Sequence, residues 1–395
     1  MRVLICGAGI AGPTLAYWLL RHGFTPTIVE SARKLRTGGY IIDFWGAGFE
    51  IAERMGLSEE LKRIGYRIEE ARVVDREGKR VVGFPVSVFD RMMQGKYVSL
   101  PRGELAAAIF GTIEGKVETI FGESVERIEQ DEKKVRVTLR SGNTREFDLV
   151  IGADGLHSRI RELVFGPESL FEKDLGYRAA AFALDGYRPR DEGVYVMYTE
   201  VGQQMVRFAM REDRTMFFLT FVGDERSWAD DEEGQKALVR KRFEKSGWES
   251  GKILEGMEGC KDFYFDRVSQ IQMNKATGLW TRGRVALVGD AAFAVSLLAG
   301  QGSALAMVAA YILAGELKRA GENHEEGFRK YQELFGPFVK RKQKGALRFA
   351  ESLTPRSKWS IFLRNRIFQL MSVQWIADLA VGRDLADRIE VPNYG

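Results

Sequence analysis

Three glycines, Gly7, Gly9 and Gly12, form the run Gly-Ala-Gly-Ile-Ala-Gly directly after the apolar stretch Arg2 to Cys6. Glycines at this spacing do their chemistry with backbone. Gly7 permits a tight turn, Gly9 lets main chain approach a pyrophosphate, and Gly12 lets helix and strand pack closely. A helix that starts there offers free N–H groups and the positive end of its dipole to phosphates. Glu30 follows roughly 20 residues on, where a carboxylate accepts hydrogen bonds from ribose hydroxyls. An acid at that point disfavours a 2′-phosphate, which excludes NADP as the ligand of this unit and leaves NAD or FAD.

These groups need elements to hold them. Arg2 to Cys6 reads as a buried strand, and Leu15, Ala16, Trp18, Leu19 and Leu20 recur with helical spacing as far as Gly23, a C-terminal cap. Thr25 to Glu30 is the next strand, completing a β-α-β unit. Further on, Pro101 to Phe110 reads as a helix, and Glu123 to Gln130 and Val135 to Leu139 as strands. Asp148 to Ala153 and Arg284 to Gly289 are buried strands that run into Asp154 and Asp290. From Gly176 to Val222 the texture changes to strands rich in aromatics. Within Gln204 to Met210, Val206 and Phe208 point one way, Arg207 and Ala209 the other, and Thr215 to Val222 is the partner strand. Such a sheet suits a pocket wall. Asp231 to Gly247 reads as an exposed charged helix. The chain is mostly helical from Ser303, with a C-terminal helix over Trp359 to Ile389. Because the nucleotide-binding strands are scattered, the domains must be interleaved.

A chain of 395 residues exceeds one simple core, and 45% hydrophobic with 29% charged residues is globular composition. The net charge is +4, and the densest basic run, Lys340 to Lys344, lacks the interleaved aromatics of a nucleic-acid surface. It reads as a solvated helix face. Two cysteines, Cys6 and Cys260, form no framework and fit a reducing cytoplasm, the expected location. Three dispersed histidines, His22, His157 and His324, argue against a metal site. Met1 to Leu20 looks like a signal peptide, but its glycines and Pro13 argue otherwise. Ala291 to Gly315 carries no charge and is long enough to span a bilayer, yet Gly300, Gln301, Gly302 and Ser303 make it a loop feeding a buried helix.

Two further stretches carry a family resemblance. Gly152-Ala153-Asp154-Gly155-Leu156-His157-Ser158-Arg159-Ile160-Arg161 is similar to the "DG" motif of the single-component FAD-dependent aromatic monooxygenases, the p-hydroxybenzoate hydroxylase fold. Gly289-Asp290-Ala291-Ala292 with Ala299-Gly300-Gln301-Gly302 resembles their second FAD motif, and Arg102 with Leu105 their R-x-x-L helix. The motifs stand in family order over nearly the whole chain. The resemblance implies an α/β fold: a Rossmann-type FAD-binding domain (1–70, 101–170, 266–340) interleaved with a β-sheet substrate domain (71–100, 171–265), plus a C-terminal helical segment (341–395). It implies FAD as cofactor, with NAD(P)H as co-substrate and O2 adding to the reduced flavin. The flavin hydroperoxide then oxygenates a small aromatic or polycyclic substrate, and no side chain need be the nucleophile. It extends the cofactor set to Ile10, Ala11, Ser31, Arg33, Gly39, Val125, Ala153, Gly155, Gly300, Gln301, Gly302, Ser303 and Ala304. In this reading Asp290 holds ribityl hydroxyls, Arg102 neutralises phosphate or holds the ribityl chain, and Asp154 lies near the FAD. Asp154 and Ser158 also suit the cap of a helix starting near Arg159. His157 reads as a plain surface histidine. The assembly expected is a monomer or weak homodimer, with no nucleic acid and no membrane span.

The chain departs from the family pattern at Phe293 for His, Leu297 for Pro, Ala304 for Asn and Ala309 for Asp. Leu297 bears most on oxygen chemistry, because that segment flanks the flavin. The apolar replacements suit a bulky substrate. Gly38 to Asp43 and Tyr311 to Leu317 resemble the branch that acts on polycyclic polyketides, including tetracycline-inactivating enzymes. Tyr40, Asp43, Arg207, Phe208, Phe217 and Leu297 are the candidate substrate contacts, with an exposed strand charge as the plainer role of Arg207. Three rivals stand beside the monooxygenase. The first is a flavin halogenase or reductase of the same fold; halogenases of this type carry a W-x-W-x-I-P stretch, which is absent from the sequence. A flavoprotein that binds without turnover is motivated by Leu297. A plain NAD dehydrogenase leaves the 289–302 motif unexplained.

Overall fold

Val3, Leu4, Ile5 and Leu149, Val150, Ile151 are buried on both sides of their strands, the pattern of a sheet covered above and below. The computed structural model describes the chain except 36–37, 88–92, 94, 225–226, 274–277 and 372–388. In it these runs are the middle of a six-stranded sheet. Its order is Thr281–Arg282, Val285–Leu287, Leu149–Gly152, Arg2–Cys6, Thr25–Glu30, Glu118–Phe121. The last five are parallel. Val285–Leu287, Leu149–Gly152 and Arg2–Cys6 are immediate neighbours, so whatever follows Leu287, Gly152 and Cys6 shares one sheet edge. Hydrogen bonds carry the register past the strand ends: Ala153 N to Cys6 O at 2.8 Å, and Val288 N to Gly152 O at 2.9 Å.

Two helices cover that edge, Ala11–Arg21 and Gly302–Ala320. Gly302–Ala320 is buried from Ser303 to Leu317, so the uncharged run ends in a core helix. Among the described residues no helix is long and apolar enough to cross a membrane. Gly289 lies where both helices converge, at φ 66°; a Cβ there would stand 3.1 Å from the Ala11 Cβ and 3.5 Å from the Ala306 Cβ.

A second, seven-stranded sheet has the order Tyr264–Ile271, Glu172–Asp185, Arg214–Val222, Gln203–Ala209, Val194–Glu200, Glu70–Val74, Arg80–Pro85. On one face Phe182, Phe217, Leu219 and Phe221 pack under helices Glu232–Phe243 and Ser250–Glu258. On the other, Phe208, Met216, Val206 and Met197 meet Tyr40, Ile41 and Tyr97. Those three belong to, or adjoin, a two-stranded ribbon of Ile41–Trp45 with Tyr97–Pro101. A small third sheet joins Val125–Gln130, Val135–Leu139 and Thr144–Phe147.

The helix expected over Trp359 to Ile389 is present in its first part, and most of the rest of that expectation lies outside the described residues. Helix His324–Leu353 is followed by Lys358–Leu370, residues 372–388 lie outside the described set, and 389–395 are not helical. That tail returns to the first domain. The Tyr394 ring sits over Gly315, where a Cβ would come within 2.2 Å of it. Tyr394 Oη donates to Glu316 Oε1 at 2.6 Å, and Lys318 Nζ donates to the Tyr394 carbonyl at 2.7 Å.

Candidate cofactor and substrate site

The glycine turn divides its work as its spacing predicts. Gly7 holds φ 110°, and a Cβ there would lie 2.5 Å from the Ala153 carbonyl oxygen. A Cβ on Gly12 would lie 1.9 Å from the Gly7 oxygen, whereas one on Gly9 would meet nothing within 4 Å. Two glycines are thus closed by backbone and the middle one is open. The helix Ala11–Arg21 starts at Ile10 without a side-chain cap, leaving its first amides free. Glu30 accepts from Ala8 N at 2.7 Å and Ala32 N at 2.8 Å, and Ser31 Oγ donates to it at 3.2 Å. Gly122 N donates to the Ala32 carbonyl at 2.9 Å, which sets exposed Arg33 beside Gly122 and puts Val125 at the start of the next strand.

At the second strand end Asp154 is a cap. Its carboxylate accepts from Ser158 Oγ at 2.6 Å and Ile160 N at 3.0 Å, and Ser158 Oγ accepts from Arg161 N at 3.0 Å. Burial raises the Asp154 carboxyl, with these hydrogen bonds pulling it back. Gly155 turns the chain at φ 84°. Arg161, wholly buried, then donates to the Ala291 carbonyl at 3.0 Å, the Leu156 carbonyl at 2.7 Å and Glu168 Oε2 at 2.5 Å. It ties the Asp154 loop to the residue after Asp290. The sequence signals it only as an arginine three places after a helix N-cap in this motif.

His157 is more than a surface histidine. Its Nδ1 lies 2.9 Å from Glu168 Oε1 and its Nε2 3.3 Å from Asp266 Oδ2, across the junction of the two sheets' territories. Hydrogen bonds to Asp266 and Glu168 push its pKa from 6.5 to about 10. The stabilisation is therefore complete below about pH 6.5 and lost as pH rises through about 10. His157 is half-exposed, so His157→Asn is expected to lose about 0.5–1 kcal/mol near neutrality, with the gap to the parent closing above pH 10. Thermal melts at both pH values check this; a gap independent of pH would remove the ion pairs as its cause.

At the third strand end Asp290 has no hydrogen-bond donor among the described residues, although burial raises its carboxyl and Arg102 pulls it back. Gly302, the first residue of an uncapped helix, has its Cβ position 3.7 Å from Asp290 Oδ1. Gly300 holds the left-handed conformation at φ 65°, and Gln301, Ser303 and Ala304 are buried just beyond it. Ala304 meets Gly48 so closely that a Cβ on Gly48 would lie 2.5 Å from it, which accounts for a small residue where the family has Asn. Arg102 N donates to the Tyr40 carbonyl at 3.0 Å, and Gly39, at φ 130°, lies against the Arg102 Cβ. An open glycine, two uncapped helix starts and a half-buried carboxylate with no hydrogen-bond donor among the described residues, all on one edge, fit the pyrophosphate and polyol of FAD.

Of the expected substrate residues the structure brings four to this side. Tyr40 stands 5.7 Å from the Tyr264 ring and 6.0 Å from the Phe218 ring, with its phenol pushed up to about 12 by burial. Leu297 packs in the same apolar cluster as Phe218, next to Ser296 at φ 153°. Asp43 Oδ1 accepts from Tyr97 Oη at 2.7 Å, Ser99 Oγ at 2.5 Å and Tyr195 Oη at 3.2 Å. Phe208 packs on Tyr66 and Tyr195. Arg207 and Phe217 are corrections. They pair in register on the opposite face, under the two helices. Arg207 is buried there, neither an exposed strand charge nor on the Asp290 side; it lines a separate cavity with Arg72 and Val196 and is held by Asp191, by Glu249 at 2.9 Å and by the Trp248 ring.

Comparison with known proteins agrees with this geometry. Residues 1–342 match the model of the FAD binding domain family. A flavin-dependent monooxygenase of an unknown prokaryotic organism is 34% identical over 100% of this chain and 99% of its own. An uncharacterised protein of Mycobacterium tuberculosis is 40% identical over 86% of this chain and 91% of its own. Among solved structures, the tetracycline destructase Tet(51) superposes with TM-score 0.83 at 34% identity, covering 100% of this chain and 99% of its own. HpxO of Klebsiella pneumoniae, complexed with FAD and uric acid, shares the fold with TM-score 0.81 at 20% identity, covering 99% and 98%.

Proposed function

The chain belongs to the FAD binding domain family and is an FAD-dependent monooxygenase, and from that premise we propose that it uses NAD(P)H and O2 to oxygenate a polycyclic, polyketide-like small molecule, tetracyclines among the candidates, in the cytoplasm. The observation that carries the substrate class is the aromatic wall of Tyr40, Tyr264 and Phe218 facing the Asp290 edge. These rings, tilted against one another, offer aromatic faces and edges on which fused rings can pack.

FAD, when bound, supplies the redox chemistry. The chain's residues bind and orient. Gly9 and the first amides of Ala11–Arg21 would hold the pyrophosphate, and Asp290 with Arg102 the ribityl segment. Phe208, Val206 and Met216 keep the cleft dry. Burial holds the Tyr97 and Tyr195 phenols well above their ordinary range, so both remain donors to Asp43. Asp43 Oδ2 takes no hydrogen bond among the described residues, and is the acceptor for a substrate hydroxyl.

The test is an absorbance spectrum of purified protein, then NAD(P)H oxidation against tetracyclines, anthraquinones and simple phenols. Substrate-stimulated oxidation is expected for the fused-ring compounds; a flavin that stays oxidised with all of them would favour a ligand-binding flavoprotein. Asp43→Asn keeps the hydroxyl cluster but weakens the acceptor. It is expected to raise KM about tenfold, the equivalent of about 1.4 kcal/mol. Unchanged KM and coupling would take Asp43 out of the site.

A further inference from the structure

The C-terminal region carries much of the chain's excess positive charge. The stretch 334–377 holds nine Lys or Arg and one acid, Glu351, while the whole chain has 59 Lys plus Arg and 55 Asp plus Glu. Outside that stretch acids outnumber cations, so the chain's positive charge is local rather than diffuse.

Helix Lys358–Leu370 lies inside it and carries apolar side chains on two faces. Arg364 is buried, donating to Thr199 Oγ1 at 3.1 Å. Phe368 packs 4.9 Å from the Phe84 ring, and Met371 joins the same cluster, so this side holds the helix to the large sheet. Trp359, Phe362, Leu363, Ile367 and Leu370 are 78%, 50%, 60%, 40% and 47% exposed. At about 100° per residue Trp359, Phe362 and Leu370 fall roughly 120–160° from Arg364, with Leu363 at about 100° and Ile367 at the edge of the stripe, about 60° from it. A surface helix normally turns its apolar stripe to the core. Here the inner face is already packed and a second apolar stripe faces out.

The charges around the stripe choose its partner. Arg356, Lys358 and Arg366 are exposed, and the Arg366 guanidinium stands 5.2 Å over the Phe362 ring. No acid occurs between Glu351 and Asp378. A second copy docking stripe to stripe about a two-fold axis would set these cations against their own copies. Aromatic and aliphatic side chains fringed by cations match the headgroup region of a negatively charged bilayer. We propose that helix Lys358–Leu370 docks the enzyme peripherally on an anionic membrane surface, with Trp359, Phe362, Leu363, Ile367 and Leu370 turned toward the acyl chains. The contact is reversible and weakens with salt.

Full-length, FAD-loaded protein would be pelleted with sucrose-loaded vesicles of phosphatidylglycerol and phosphatidylcholine, and with phosphatidylcholine alone. Association about tenfold stronger with the anionic vesicles is expected. Trp359→Ser with Leu363→Ser should lose that association about tenfold while keeping its flavin absorbance, and so should Lys358→Glu with Arg366→Glu. Equal pelleting with both lipids would overturn the proposal. So would undiminished pelleting of Trp359→Ser with Leu363→Ser, which would mean diffuse charge adsorption. A parent dimer that the same pair of substitutions makes monomeric, without vesicle binding, would give the stripe to a second copy and also overturn it.

Discussion

Gly9→Val is expected to purify as a folded protein without yellow colour, while Gly12→Val should scarcely accumulate. The two positions sit three residues apart in one turn, and the space around each decides the outcome. A Cβ on Gly9 meets no atom within 4 Å, so the apo fold tolerates the branch; the branch fills the space a pyrophosphate needs. FAD affinity should fall at least ~100-fold, about 2.7 kcal/mol, in a titration of apoprotein. At Gly12 the added carbon would stand 1.9 Å from the Gly7 oxygen and 3.3 Å from Ile5 Cγ2. The first helix would have to move off the sheet, which costs about 3 kcal/mol or more. Circular dichroism, soluble yield and flavin content separate the two variants. Flavin retained by Gly9→Val would move the phosphate site elsewhere, and normal folding of Gly12→Val would contradict the close approach.

This contrast also shows what a sequence can carry. The three FAD motifs were legible because each follows a strand apolar on both faces and works through backbone or a single acid. Position in the chain and position in space then coincide at the strand ends Cys6, Gly152 and Leu287. The faces of the large sheet were not legible. Alternation separates Phe208 from Arg207 but does not say which faces the cleft, since both faces are rich in apolar side chains. The helices Glu232–Phe243 and Ser250–Glu258 decide it by covering the Arg207 and Phe217 side. Contacts between residues far apart in the chain were equally hidden. His157 meets Asp266 109 positions away, and Tyr195 reaches Asp43 across 152. Gly315 read only as part of a family-like helix until Tyr394 was seen lying on it.

Arg161→Met should destabilise the fold by about 3–5 kcal/mol and loosen FAD at the same time. The guanidinium is fully buried and links three groups that have no other donor among the described residues: the Ala291 carbonyl, the Leu156 carbonyl and Glu168 Oε2. Removing it strands two carbonyls and half of an ion pair in a low dielectric. Ala291 directly follows Asp290, so the loss also frees the carboxylate proposed to receive the ribityl chain. Arg161→Lys keeps the charge but cannot span three acceptors with one ammonium, and should recover only part of the stability. Removing Glu168 as well should add only what His157 loses with its Glu168 partner, because either change already breaks the Arg161–Glu168 bond. Urea unfolding of the apoproteins, repeated with saturating FAD, tests the coupling. Bound FAD stabilises by mass action, so a variant with weaker affinity gains less from a fixed concentration than the parent does. If Arg161→Met lost stability but took up FAD with parental affinity, the arginine would serve only the core, and Asp290 would be positioned by its own strand end alone.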